Sequence, residues 1–256
     1  MTGGRLTRTL QATVSMLALA AAWQLLSTFF PPFLFPPVPE IISRTIEVLI
    51  TGSLLVDVLL TAARIFGGLL GAFLFGALIA LLIARSQTLE NFITPVLTFF
   101  QGIPALSWVV FAIIWFQGTE FRVLFIMVMT TLPAFTFQIL DAIRAMSKDL
   151  LEMTLSFRPS RWQLFRYMIV PTIVPGILTA WKVNLGNAAR VVVVAELVGA
   201  TGGVGYQLLR QQQLFDMAGA MAWTLQLVLF VLVVQQSINA IEAFVLRYRS
   251  VSERAL

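Results

Sequence analysis

One polar segment interrupts a chain otherwise written in long apolar blocks, and it limits the possible folds more than any other feature. Between Asp149 and Pro175 the sequence carries Glu152, Arg158, Arg161 and Arg166. Charges at that density are not left in hydrocarbon, so the segment belongs at a membrane surface, where a partner outside the bilayer can reach it. Several of the flanking blocks reach the length of about 20 residues that crosses about 30 Å of hydrocarbon as a helix. They lack the strict two-residue alternation of barrel strands. The chain is 59% apolar and 11% charged, against about 45–50% and about 25% in soluble domains. These observations imply an all-α integral membrane protein, with residues 1–256 forming a single transmembrane domain.

The apolar blocks predict about six spans, near residues 9–30, 58–84, 92–116, 121–140, 169–198 and 221–245. With the N-terminus inside, the inner segments hold Arg5, Arg8, Arg85, Arg144, Lys148, Arg158, Arg161, Arg166, Arg247, Arg249 and Arg254, and the outer ones Arg44, Arg122 and Arg210. Basic residues mark the cytoplasmic side. Both termini and the polar segment are therefore expected to be cytoplasmic. Membrane orientation also accounts for the net charge of +5, so nucleic acid is not an expected partner and membrane lipid is. The first block, with Arg5 and Arg8 before it and Ala18-Leu19-Ala20 within it, has some look of a signal peptide. Its continuation through Leu25, Leu26, Phe29 and Phe30 favours a retained span.

The sequence contains neither Cys nor His. That removes thiolate and imidazole metal ligands, imidazole bases and disulfides, so no metal site and no resident cofactor is expected. The run Pro31-Pro32-Phe33-Leu34-Phe35-Pro36-Pro37 reads as a rigid extended stretch. Pro39 suits a first helical turn, and Ile41, Ile42, Ile46, Leu49 and Ile50 recur at helical spacing, which predicts a short amphipathic helix on the outer surface. Gly67 and Gly71, with Gly68, Ala72 and Gly76, place small residues four apart and predict close helix packing. Pro95, Pro104 and Pro133 punctuate later spans, as in broken helices that face protein or a cavity.

The polar segment has its own local physics. Residues 148–157 suit one short helix, which must break at Arg158 because Pro159 pushes its predecessor out of the helical region. Ser160 followed by Gln163 matches a capping box, so a second helix begins at once through Trp162, Leu164, Phe165 and Tyr167 towards Pro171. Two short helices with apolar knobs and arginines suit a groove on a soluble partner. An ordinary amphipathic loop remains the alternative at this point.

The same stretch resembles the cytoplasmic signature of ABC importer permeases, which reads Glu-Ala-Ala, three residues, Gly, nine residues, Ile, one residue, Leu-Pro. Glu152-Met153-Thr154 takes the first triplet, Arg158 the glycine position, and Met168, Val170 and Pro171 the closing positions. Both alanines are replaced, and the glycine has become Arg158. Further matches are to the branch that carries nitrate, taurine and alkanesulfonates. They are Phe35-Pro36-Pro37-Val38-Pro39-Glu40, Ile114-Trp115-Phe116-Gln117-Gly118, and Ala195-Glu196-Leu197 followed by Gly203-Val204-Gly205-Tyr206. The resemblance implies a permease, expected to be a homodimer, bound to two cytoplasmic ATPase subunits that hold ATP and Mg, and served by an external substrate-binding protein. It makes residues 148–167 the coupling segment, with Glu152, Met153, Thr154, Arg158, Ser160, Arg161 and Trp162 as the coupling residues. It also implies residence in a bacterial-type inner membrane.

Charges within or near the spans should face a partner, a cavity or an interface. Lys182, Asn187 and Arg190 form a candidate electropositive lining for a small anionic solute, with cross-bundle hydrogen bonding as the alternative. Arg64 reads as an anchor or structural partner. A pair between Arg190 and Glu196 is disfavoured by their spacing on a helix. Gly202-Gly203-Val204-Gly205-Tyr206 lacks the lysine and the strand-to-helix setting of a phosphate loop and reads as a flexible outer turn. Trp108, Trp115 and Trp223 read as interface or packing residues. The expected function is import of a small, anionic solute by alternating access, with ATP hydrolysis on a separate polypeptide. A self-sufficient carrier or channel is the alternative, and a membrane enzyme is disfavoured by the missing His and Cys.

Overall fold

The structure, a computed structural model, describes the backbone of residues 3–245; the side chains of residues 3–9, 52–54 and 148 lie outside the described set. The orientation marks at Arg5, Arg8, Lys148, Arg247, Arg249 and Arg254 thus fall wholly or in their side chains outside the described residues. The described residues form helices α1 (Gly3–Ser27), α2 (Val38–Ile50), α3 (Gly52–Arg85), α4 (Gln87–Gly102), α5 (Ala105–Trp115) and α6 (Thr119–Arg144), then α7 (Lys148–Ser156) and α8 (Arg161–Leu164). A π turn at Phe165–Ile169 leads into α9 (Val170–Gly199), followed by α10 (Val204–Gln213) and α11 (Met217–Val245).

Among the described residues, five helices are long and apolar enough to cross a membrane, or six if α4 and α5 together count as one span. The third expected span is therefore not a straight rod. Its two halves meet at 94°, because Pro104 has no N–H to continue α4 and forces Ile103 into extended backbone (φ −76°, ψ 122°).

The bundle is built around α3, α6 and α9, whose buried faces contribute Ile65, Leu69, Met127, Phe135, Leu185 and Val192 to one continuous core. In hydrocarbon the hydrophobic effect does not drive helices together, so tight packing has to. The small-residue series does that work. A Cβ on Gly68 would sit 2.5 Å from Met127 Cβ, and one on Gly76 3.1 Å from Phe135 Cβ. Phe73, Phe135 and Trp181 lock the three helices with ring centroids 5.5–5.6 Å apart.

One expectation is revised near the N-terminus of the bundle. The proline-rich run is a turn rather than an extended rod: the N–H groups of Leu34 and Phe35 both donate to Pro31 O, at 2.9 and 3.0 Å. The turn is clamped from α1, where the Trp23 indole N–H donates to Pro36 O at 3.0 Å and stacks on Phe35 at 4.5 Å. The amphipathic helix α2 is present with Pro39 in its first turn, and it buries Ile41, Thr45 and Val48 while Ile42, Ile46, Leu49 and Ile50 stay exposed.

The molecule has two distinct ends. At one, the C-terminus of α6 meets the start of α4 through Arg144 and Glu90 (2.5 Å), next to the α7–α8 elbow. At the other lie α2, the start of α6, α10 and the turn between α9 and α10.

Candidate functional site

Local capping chemistry shapes the elbow. Ser147 Oγ accepts the Leu150 N–H at 3.4 Å and starts α7. α7 closes as the N–H of Arg158 donates to Leu155 O at 2.9 Å. Arg158 itself has φ +49°, the left-handed region that costs a residue bearing a Cβ about 1–2 kcal/mol. The break falls at Arg158 as expected, but through a positive φ, the conformation a glycine at that place supplies without strain. The capping box is complete: Gln163 N–H donates to Ser160 Oγ at 3.2 Å, and Ser160 N–H donates to Gln163 Oε1 at 2.8 Å.

The second helix does not end before the span. After one turn of α8 the chain widens into the π turn and runs directly into α9. Pro171 cannot donate to the carbonyl four residues back and its ring crowds that carbonyl, so a wider turn just before it relieves the clash.

Glu152, Met153, Arg158, Ser160, Arg161 and Trp162 are exposed, and Thr154 is half-buried with its hydroxyl donating to Leu150 O at 2.7 Å. None of the charged members makes an ion pair among the described residues. Large apolar groups stand beside them uncovered: Phe157 is 80% exposed, Tyr167 74% and Trp162 64%. Between α7 and the α8–π segment lies a notch of about 280 Å³ lined by Leu150, Thr154, Pro159, Gln163, Tyr167 and Met168.

The three candidate lining residues are not brought together as one cluster. Lys182 pairs with Glu242 of α11, a partner that sequence spacing did not suggest across 60 positions. Among the described residues, Arg190 is exposed without an ion pair and Asn187 is half-buried without a side-chain hydrogen bond. A Cβ on Gly186, one turn before Arg190, would meet nothing within 4 Å. A buried polar pair that sequence reading missed lies nearby: the Asn184 amide donates to Gln138 Oε1 at 2.6 Å and to Ala180 O at 2.9 Å.

The opposite end carries a polar network centred on Arg64, which fulfils its expected structural role. Its Nη1 donates to Glu196 Oε1 and to Gly202 O, both at 2.7 Å. Its Nε and Nη2 donate to Glu120 at 2.9 and 2.5 Å. Glu196 also accepts the Thr61 hydroxyl and, at 2.8 Å, the Gly205 N–H. The side chains of Arg64 and Glu196 are 3% and 0% exposed, that of Glu120 61%. Asp57 Oδ1 accepts the Gly203 N–H at 2.7 Å, and Thr61 Oγ1 accepts the Val204 N–H at 2.8 Å. The glycine turn is thus pinned rather than flexible. Gly203 has φ +111°, and a Cβ there would lie 2.5 Å from Glu196 Oε1; one on Gly205 would lie 2.5 Å from Val193 O. At the surface of this end, Arg44 is held above its ordinary pKa, first by its hydrogen bond to Glu47 and then by nearby Asp216.

Residues 72–247 match the family described as binding-protein-dependent transport system inner membrane component. The chain belongs to this family. It is an ABC importer permease subunit, a multi-pass inner-membrane protein, and the reading as a self-sufficient carrier falls away. Similar proteins include the formylaminopyrimidine transport permease protein ThiX of Halalkalibacterium halodurans, 27% identical over 83% of this chain and 85% of that protein. The riboflavin transport system permease protein RibX of Chloroflexus aurantiacus is 29% identical, over 79% of this chain and 76% of RibX. The taurine transport system permease protein TauC of Escherichia coli is 23% identical, over 77% of this chain and 76% of TauC. Among solved structures, a chain of the MetNI methionine ABC transporter in an inward-facing conformation matches with TM-score 0.64 at 19% identity, covering 75% of the permease and 95% of that chain. That likeness is one of fold. The three relatives are named for three chemically different solutes, so the family specifies import and not the solute.

Proposed function

We propose that the permease imports a small anionic solute, of the kind represented by taurine, a sulfonate or nitrate, by alternating access driven by two separate ATPase subunits that bind ATP and Mg. In this reading residues 1–256 form one transmembrane domain that acts as a homodimer, receives solute from an extracytoplasmic binding protein, and keeps both termini and the elbow on the cytoplasmic side.

The observation that carries the reading is the uncovered elbow. An aromatic side chain is worth about 1.5–3 kcal/mol when fully buried, and Phe157, Trp162 and Tyr167 are left largely exposed on a segment whose fold is set by its own caps. Residues 148–167 would fill a groove of the ATPase, with Glu152, Met153, Thr154, Arg158, Ser160, Arg161 and Trp162 as coupling residues. ATP-driven closure of the ATPase pair would then push the elbow, and the push would pass through the π turn into α9 without an intervening loop.

The anion rests on Arg190. Lys182 is balanced by Glu242, which leaves Arg190 as the exposed cation of the candidate lining, beside Asn187 and the open space at Gly186. In proteoliposomes holding permease, ATPase and binding protein, Glu152→Ala with Trp162→Ala is expected to leave insertion intact and to uncouple ATP hydrolysis from uptake. In the same preparation taurine, alkanesulfonates or nitrate should stimulate hydrolysis and neutral heterocycles should not. Wild-type uptake by the double variant would remove the elbow from coupling, and stimulation by neutral solutes alone would remove the anion.

A further inference from the structure

The network opposite the elbow holds more carboxylates than neutrality requires: Glu196 and Glu120 face Arg64, and Asp57 stands beside them. Arg64 and Glu196 already balance, yet Arg64 turns its two-pronged edge, Nε and Nη2, to Glu120 and gives Glu196 only Nη1. A guanidinium present only to neutralise a buried carboxylate would offer its fork to that carboxylate, where the bidentate pair is strongest. Glu120 needs no such help. It is 61% exposed and sits in the first turn of α6, where the helix dipole already favours a negative charge. The Arg64–Glu120 contact therefore fixes position rather than charge.

Three α3 residues on one face, Asp57, Thr61 and Arg64, reach the turn after α9. They take the N–H groups of Gly203 and Val204 and the carbonyl of Gly202, while Gly205 N–H goes to Glu196. Gln207 of α10 also donates to Asp57 at 2.6 Å. Thus α10 is tied to α3 by side chains on both sides of its first turn, and α3 is tied by Arg64 to the start of α6.

The geometry points to Arg64 as a positioning residue that makes the glycine turn and α10 travel with α3 and α6 as one rigid body when this end of the permease opens. The inference rests on the importer reading above, because it concerns the half-cycle in which access changes ends. A turn whose consecutive N–H groups are all bonded to side chains does not swing as a flap, so opening is a displacement of the whole block.

Hydrogen exchange on the full transporter, resting and turning over ATP, reads this directly. The amides of 203–205 are expected to stay protected in both states, and loss of their protection during turnover overturns the proposal. Glu120→Gln removes the fork contact while Glu196 still balances Arg64, so the variant should insert and melt like the wild type. ATP consumed per solute imported should rise about two- to fivefold, the scale of an exposed charge pair. An unchanged ratio together with unchanged exchange would strip Arg64 of the positioning role. If Glu120→Gln does not fold, Arg64→Lys, which keeps the charge and loses the fork, is judged by the same two readouts. A wild-type complex that imports nothing would count against the importer reading, whereas the exchange comparison is made on ATP binding and hydrolysis whether or not solute moves.

Discussion

The elbow end and the Arg64 end of the permease are held together by opposite means. The elbow is shaped by bonds between residues a few positions apart: the Ser147 cap, the Ser160–Gln163 box and the left-handed Arg158. Its apolar groups face outward. The Arg64 end is shaped by bonds between residues far apart in the chain, 132 positions for Arg64 to Glu196 and 143 for Val204 to Thr61. There Arg64, Thr61 and Glu196 face inward and are bonded to one another and to the glycine turn. A segment that folds by local rules and leaves its aromatic groups bare is built to receive something, whereas a turn whose consecutive N–H groups are bonded to distant side chains is built to hold its shape.

The strongest way to break this contrast is at the buried pair. Arg64→Ala strands the buried Glu196 carboxylate in the bundle and is expected to cost about 3–5 kcal/mol, read as loss of folded protein or a large fall in melting temperature in nanodiscs. A loss below about 1 kcal/mol would mean that water already reaches the network. A smaller effect comes from the glycines. Gly203→Ala and Gly205→Ala each force a Cβ into Glu196 or Val193 O and should cost about 1–3 kcal/mol. Gly186→Ala, where a Cβ meets nothing within 4 Å, should be nearly neutral by the same melting measurement. Equal effects at the three sites would show that the glycine turn is not closely packed against Glu196 and Val193.

The same contrast decides what could be read from the sequence. At the elbow nearly everything was legible: the break before Pro159, the capping box, and the match of Glu152 and Pro171 to a known pattern are local chemistry. The left-handed Arg158 was not, because propensity does not put arginine there and only the glycine of the pattern hints at it. The π turn was not legible either, since its residues look like any helix. At the other end, Glu196 and the glycines after it could be recognised as a pattern, but their purpose depends on Arg64, which local periodicity cannot connect to them. Pro104 announced a break in the third span, but the size of the bend, 94°, is not a local signal that periodicity supplies. The proline-rich run looked extended until the Trp23 indole, supplied from α1, was seen to close its turn. Lys182 shows the limit most plainly: its partner Glu242 lies on a helix whose placement no short-range rule supplies.

The central claim is that the elbow, and not the opposite end, is gripped by the ATPase. The chain has no native cysteine, so a single introduced thiol reports from one place. Cysteine at Phe157 or Trp162 should cross-link to the ATPase subunit in the assembled transporter, with a yield that changes on ATP binding, and cysteine at Glu47 or Phe215 should not. Cross-linking from Glu47 or Phe215 with none from Phe157 or Trp162 would contradict the account.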